Sequence, residues 1–145
     1  MRSRGLWSMS WDDSRGKGLI EANAAFYRAF ADGDLRAMSA LWADHDDLVC
    51  IHPGHERLTG RSPVLASWFA ILENPPPVRT SDARAVPLGQ AGLVTCTEAI
   101  GNNRLAATNA FEWDGEAWRM VLHQAGPVLA EDRREPGRGP SGAVH

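Results

Sequence analysis

Glu98 is the residue best placed to do chemistry in this 145-residue chain. It lies in the stretch 93–100 (LVTCTEAI), which alternates in character with 104–113 (RLAATNAFEW) across Gly101, Asn102 and Asn103. That pattern predicts a β-hairpin with a tight turn. With Asn102 and Asn103 in the turn, Ile100 faces Leu105, Glu98 faces Ala107, Cys96 faces Asn109 and Val94 faces Phe111. One face is then apolar except for Glu98 and Asn109. A carboxylate on such a face must be desolvated, paired or hydrated by a cavity. Glu98 is therefore expected either as a general base or ligand anchor with a raised pKa, or as the partner of an arginine such as Arg28 or Arg104. Asn109 brings a donor and an acceptor to the same face, where it orients a ligand or satisfies Glu98.

His52 is the second candidate. It ends the apolar run 48–52 just before Pro53 and Gly54, so it is read either as an acid, base or hydrogen-bond partner at the mouth of a pocket, or as a histidine satisfied by backbone. Its spacing from His55 fits neither a helical i, i+4 pair nor alternate strand positions, and no metal site is expected there. Cys50 and Cys96, the two cysteines, sit in predicted strands and read as buried free thiols. No serine stands in a GxSxG context and no glycine-rich phosphate loop is present, so neither nucleophilic catalysis nor a cofactor is predicted.

These side chains must be positioned by a ribbon of strands and by helices that precede it. A second turn at 114–117 returns the chain through 118–126 (WRMVLHQAG), placing Trp118 beside Trp113 and Arg119 opposite Glu112. In that register Met120, Leu122 and Gln124 extend the inner face. His123 joins Thr95, Thr97, Thr108 and Ala110 on the outer one. Helices are predicted over 17–32, closed by Gly33, over 35–42 with Asp34 as its cap, and from Ser62 and Pro63 to about residue 72. Three prolines at 75–77 stop the last helix. A strand at 78–88 follows, and Pro87 marks it as an edge or a bulge. Tyr27, Trp42 and Trp68 fall on the buried sides of their helices. Together with His52, Glu98, Asn109 and Gln124 they are the expected lining of an apolar pocket.

Helices first and strands after predict an α+β fold of one domain, a length that buries roughly two thirds of the unfolded surface. The boundaries are a loose leader at 1–15, with Met9 as an alternative start, a domain at 16–129, and a disordered tail at 130–145 rich in charge, glycine and proline. Net charge is −3 with scattered basic residues, which argues against a nucleic-acid partner. No apolar run reaches the ~18–20 residues of a membrane span and no signal peptide is evident, so a cytoplasmic location is the expectation.

Four strings, AFYRAFADGDLRAMSALW at 25–42, VCIHPG at 49–54, LTGRSPVLASW at 58–68 and WRMVLHQAGPV at 118–128, resemble the nuclear transport factor 2-like superfamily, more closely its SnoaL-like branch. The resemblance spans about residues 18–128. It implies a cone-shaped, cystatin-like roll in which three N-terminal helices pack on a curved antiparallel sheet, with a pocket at the open end and a homodimer formed through the sheet's outer face. Activities in such families run from ketosteroid isomerisation, polyketide cyclisation and dehydration to simple ligand binding or subunit association. A ketosteroid-isomerase-like site needs a carboxylate base opposite a tyrosine and a protonated aspartate, and Tyr27 is the only tyrosine here. Polyketide cyclases place an acid and a histidine near the sheet. Glu98 and His123 match in kind, but the register above puts His123 on the wrong face. The reading is a binding domain for a small apolar ligand. The alternatives are an isomerase, cyclase or dehydratase using Glu98 or His52, and an association module.

Overall fold

The computed structural model describes residues 11–129. Helix α1 (Trp11–Asp32) carries one inward stripe of Leu19, Asn23, Phe26, Tyr27 and Phe30, a spacing of threes and fours that keeps all five on one side. Gly33, at φ 64°, turns the chain out of the helix while the Gly33 and Asp34 amides bond back to Phe30 and Ala29. Asp34 then caps helix α2 (Leu35–Leu41), its Oδ1 accepting from the Ala37 amide at 3.0 Å. Strands β1 (Val49–Ile51) and β2 (Leu58–Thr59) precede helix α3 (Arg61–Leu72). The long strands β3 (Val78–Leu88), β4 (Ala91–Ile100), β5 (Asn103–Trp113) and β6 (Trp118–Pro127) complete the chain. Residues 11–15, placed by composition in the leader, are the first turn of α1. Residues 1–10 and the tail at 130–145 lie outside the described residues.

The fold is the expected α+β roll. Its six strands run in the order β2-β1-β6-β5-β4-β3, and the helices cover one face. Pro87 lies on β3, the edge strand, as its missing donor requires. The sheet is not antiparallel throughout. β1 runs parallel to β6, with Cys50 beside His123, because no hairpin joins those two strands and nothing forces the chain to double back.

Three local expectations are corrected. The cap of α3 is Gly60 at φ 95°, not Ser62, and Pro63 is the third helical residue, still within the turn whose amides have no intrahelical acceptor. The β4–β5 turn uses Gly101 and Asn102, with Ile100 paired to Asn103, Glu98 to Leu105 and Cys96 to Ala107. This differs from the expected register by two residues, an even slip that leaves every side chain on its predicted face.

The third correction changes the site. The β5–β6 ribbon starts as expected, with Trp113 on Trp118, Glu112 on Arg119 and Phe111 on Met120, but Ala110 then pairs with Leu122. Val121 is an extra residue, a β-bulge that reverses the alternation beyond it. His123 and Ala125 therefore point inward and are buried, while Leu122 is half-buried and Gln124 is exposed on the outer face. The inward Gln124 and the outward His123 of the sequence reading are exchanged.

Candidate functional site

The inward turn of His123 assembles a polar cluster inside an otherwise apolar core. Asn23 and Tyr27 descend from α1, Glu98 rises from β4, Asn109 from β5 and His123 from β6, and all five are at most 6% exposed. Tyr27 Oη donates to Glu98 Oε2 at 2.6 Å. Asn109 Nδ2 donates to Asn23 Oδ1 at 2.8 Å and to Tyr27 Oη at 3.2 Å, and Asn109 Oδ1 lies 2.6 Å from His123 Nδ1. His123 Nε2 in turn faces Glu98 Oε2 at 3.9 Å. Cys96 adds a weak thiol bond to Tyr27 Oη at 3.6 Å.

The walls around His123 are aromatic. Its ring centroid is 5.0 Å from that of Phe26, 5.5 Å from Trp68 and 6.4 Å from His52. Burial in such surroundings disfavours charge on every group. It raises the Glu98 carboxyl, against which the Tyr27 hydrogen bond acts as the smaller influence. It lowers His123 to about 3, with nearby His52 adding to the effect. The separation of 3.9 Å would admit an ion pair, but burial pushes both groups toward their neutral forms. This surrounding favours the neutral pair over the ion pair, since a buried ion pair offsets its desolvation only with excellent geometry. The Tyr27 phenol is raised far above its usual range, first by burial and then by Glu98, and Cys50 is pushed up to about 12 by burial.

His52 stands at the half-buried edge of this cluster, its ring 5.0 Å from Trp68. Ser67 spends its hydroxyl hydrogen on the Val64 carbonyl at 2.7 Å, so His52 Nε2 is the donor in the 2.9 Å contact to Ser67 Oγ. Burial lowers the His52 pKa, and His55 adds to the shift.

Of the residues expected to line a pocket, Tyr27, His52, Trp68, Glu98 and Asn109 are brought together. Trp42 and Gln124 are not. Trp42 is buried where α2 ends, bridged to Met120, and Gln124 is on the opposite face. Neither Arg28 nor Arg104 neutralises Glu98, for both are exposed. The space between helices and sheet is packed with Phe26, Trp68, Phe111 and Met120. A cleft of about 340 Å³ between α1 and α2 and another of about 480 Å³ beside Trp113 and Trp118 both lie away from Glu98. Among the described residues no group of three or more His, Cys, Asp or Glu side chains is placed to hold a metal ion, and no helix is long and apolar enough to cross a membrane.

The sequence reading missed Asn23, Ser67 and the inward His123. Asn23 was legible, being four residues after Leu19 and four before Tyr27 on one helical stripe. For His123 the signal was fainter: Met120, Val121 and Leu122 are three consecutive apolar residues where strict alternation would give two.

The fold agrees with comparisons to known proteins. A family model of the SnoaL-like domain matches residues 19–130. A structure from Streptomyces avermitilis, named as a candidate dehydratase of the NTF2-like family, is 32% identical and covers 81% of this chain and 99% of its own, with a TM-score of 0.73. One from Thiobacillus denitrificans, named as a candidate calcium/calmodulin-dependent protein kinase type II association domain, is also 32% identical, covering 76% and 94% with a TM-score of 0.66. F-box protein SKIP8 of Arabidopsis thaliana is 27% identical over 122 residues, 81% of this chain but 53% of that protein, so the chain spans about half the length of this curated relative. More distant structures of the cystatin-like fold share the architecture.

Proposed function

The chain belongs to the SnoaL-like domain family, and from that premise we propose that it binds a small, uncharged, largely apolar carbonyl or hydroxyl compound and moves protons on it, as a dehydratase or isomerase does. One observation carries the reading. Glu98 and His123 stand 3.9 Å apart inside the core, each held from behind by a dedicated hydrogen bond, from Tyr27 to the acid and between Asn109 and the imidazole. A core that needed only to be filled would be cheaper with apolar groups, because burying ionisable side chains costs free energy that packing does not return. Two groups whose neutral forms are favoured by the same burial are suited to act as an acid and a base. The acid-and-histidine pairing that the family resemblance suggested is thus available on the inner face. The Streptomyces relative points the same way.

An uncharged ligand is favoured because Glu98 makes no ion pair with an arginine or lysine among the described residues. The test is native mass spectrometry of freshly purified protein for a retained small molecule, followed by turnover assays on β-hydroxy carbonyl compounds with wild type and Glu98→Gln. Retained ligand with Glu98-dependent turnover supports the reading. Ligand retention with no turnover reduces the protein to a binding domain, and neither ligand nor turnover removes both.

A second reading, self-association, is favoured by the bare outer face of the sheet. Val86, Leu93, Ala110, Leu122 and Val49 form one apolar row across five strands, flanked by Thr95, Thr97 and Thr108, and among the described residues no helix packs there. We propose a second copy of this chain as its occupant. Light scattering on Leu93→Glu checks it: wild type should elute as a dimer and the variant as a monomer, while a monomeric wild type at micromolar concentration removes this reading.

A further inference from the structure

Which member of the Glu98–His123 pair gives a proton and which takes one follows from the groups behind them. Asn109 commits its amide nitrogen twice, to Asn23 Oδ1 and to Tyr27 Oη. Its oxygen is therefore the atom at 2.6 Å from His123 Nδ1, and a carbonyl oxygen that close is matched only by an N–H. The hydrogen of the neutral ring sits on Nδ1, which leaves the lone pair on Nε2. Nε2 is the nitrogen turned to Glu98. On the carboxyl, Oε2 already accepts from Tyr27. It is thus the carbonyl-like oxygen, and Oε1, to which no described residue donates, is the place for a carboxyl hydrogen.

The remaining titratable groups do not disturb this division. Tyr27 from α1, Cys96 on β4 and Cys50 on β1 are all raised by burial and stay uncharged, and His52, just beyond β1, is lowered. Among the described residues no lysine or arginine pairs with Glu98.

We infer that His123, through Nε2, is the base of this site and Glu98, protonated on Oε1, is its acid, with Asn109 the positioning residue that fixes the imidazole tautomer. The sequence suggested Glu98 or His52 as acid or base; this assignment keeps Glu98 as the acid and gives the base to His123, and the inference rests on the acid–base reading above. On a β-hydroxy carbonyl compound the C–H bond α to the carbonyl breaks and its proton goes to His123 Nε2. The electron pair forms the C=C bond, the C–O bond to the hydroxyl breaks, and the departing oxygen takes the Oε1 proton and leaves as water. The imidazolium then returns its Nε2 proton to the Glu98 carboxylate. The substrate has lost one water, the pair is reset, and no oxidant or reductant is needed.

Nitrogen-15 NMR of the histidine rings in the full chain tests this without any substrate. At neutral pH the wild type should show His123 as the Nδ1–H tautomer, with a protonated-carboxyl infrared band that disappears in Glu98→Gln. Asn109→Ala should mix the two tautomers, and Asn109→Asp, which keeps an acceptor at that place, should restore Nδ1–H. A wild-type His123 found as the Nε2–H tautomer, or as an imidazolium beside an ionised Glu98, overturns the inference even if both variants fail to fold. Failure to find turnover would count against the proposed activity but leave the tautomer result standing, so the two are distinguishable.

Discussion

Tyr27 Oη lies 2.6 Å from Glu98 Oε2, tying helix α1 to strand β4 across 71 positions of sequence. Both partners are buried, so this bond ties the long helix to the polar cluster: Tyr27 also sets which carboxyl oxygen of Glu98 is already hydrogen-bonded. Tyr27→Phe keeps the ring and removes only the donor. Leaving the buried oxygen unpaired should cost about 1–3 kcal/mol in urea unfolding. The same change should move the Glu98 carboxyl further above its ordinary range, because the hydrogen bond it removes is an influence that lowers it. An infrared titration that showed Glu98 moving downward would refute this account of the bond.

The pair makes opposing contributions to stability as pH changes. His123 titrates near 6.5 when unfolded and at about 3 when folded, so across that interval the unfolded chain binds the extra proton and stability rises with pH. Glu98 is shifted up from 4.5. Above that value the folded chain holds the proton that the unfolded chain has lost, and stability falls with pH until the folded pKa is passed. From 4.5 upward the two slopes oppose each other. Glu98→Gln should uncover the rising slope and His123→Gln the falling one, read from denaturation midpoints between pH 4.5 and 6.5. Parallel profiles in the two variants would contradict the shifts.

At Gly92 helix α1 packs closely on the sheet. A Cβ there would collide with the Leu19 side chain at Cδ1, with both residues in the closed interior. Gly92→Ala should therefore destabilise by roughly 1–3 kcal/mol through overpacking. Adding Leu19→Ala should give less than the sum of the two single losses, since the second change vacates the space that the first one needs. Additive losses would show that the contact is not the cause.

Arg61 closes the end of α2 from a neighbouring element. Its guanidinium donates to the carbonyls of Ser39, Trp42 and Ala43 at 3.1, 3.1 and 2.6 Å. The Ser39 and Trp42 carbonyls are acceptors that a helix end leaves unpaired, and Ala43 follows the cap. Arg61→Ala should cost about 1.5–3 kcal/mol, and Arg61→Lys should recover little of it, because a single ammonium cannot reach three carbonyls as a planar fork does. Recovery of full stability by lysine would mean that charge alone matters here.

The sequence by itself determined much of this protein. The spacing of Leu19, Phe26, Tyr27 and Phe30, the cap at Asp34, the turn at Gly101 and the aromatic pair Trp113–Trp118 are local patterns, and a local pattern is readable because its partners are near in the chain. Glu98 and Asn109 were placed on the inner face even though their register was wrong by two, since side-chain direction in a strand depends only on parity. What tertiary structure alone decided was the direction of His123. Val121 has the same chemistry whether it is a regular strand residue or a bulge, and the choice is made where the parallel partner β1 and the closing sheet must bring Cys50 beside His123. One inserted residue reverses every side chain beyond it, so Gln124 was lost from the inner face and His123 was gained by a packing requirement that no stretch of sequence carries.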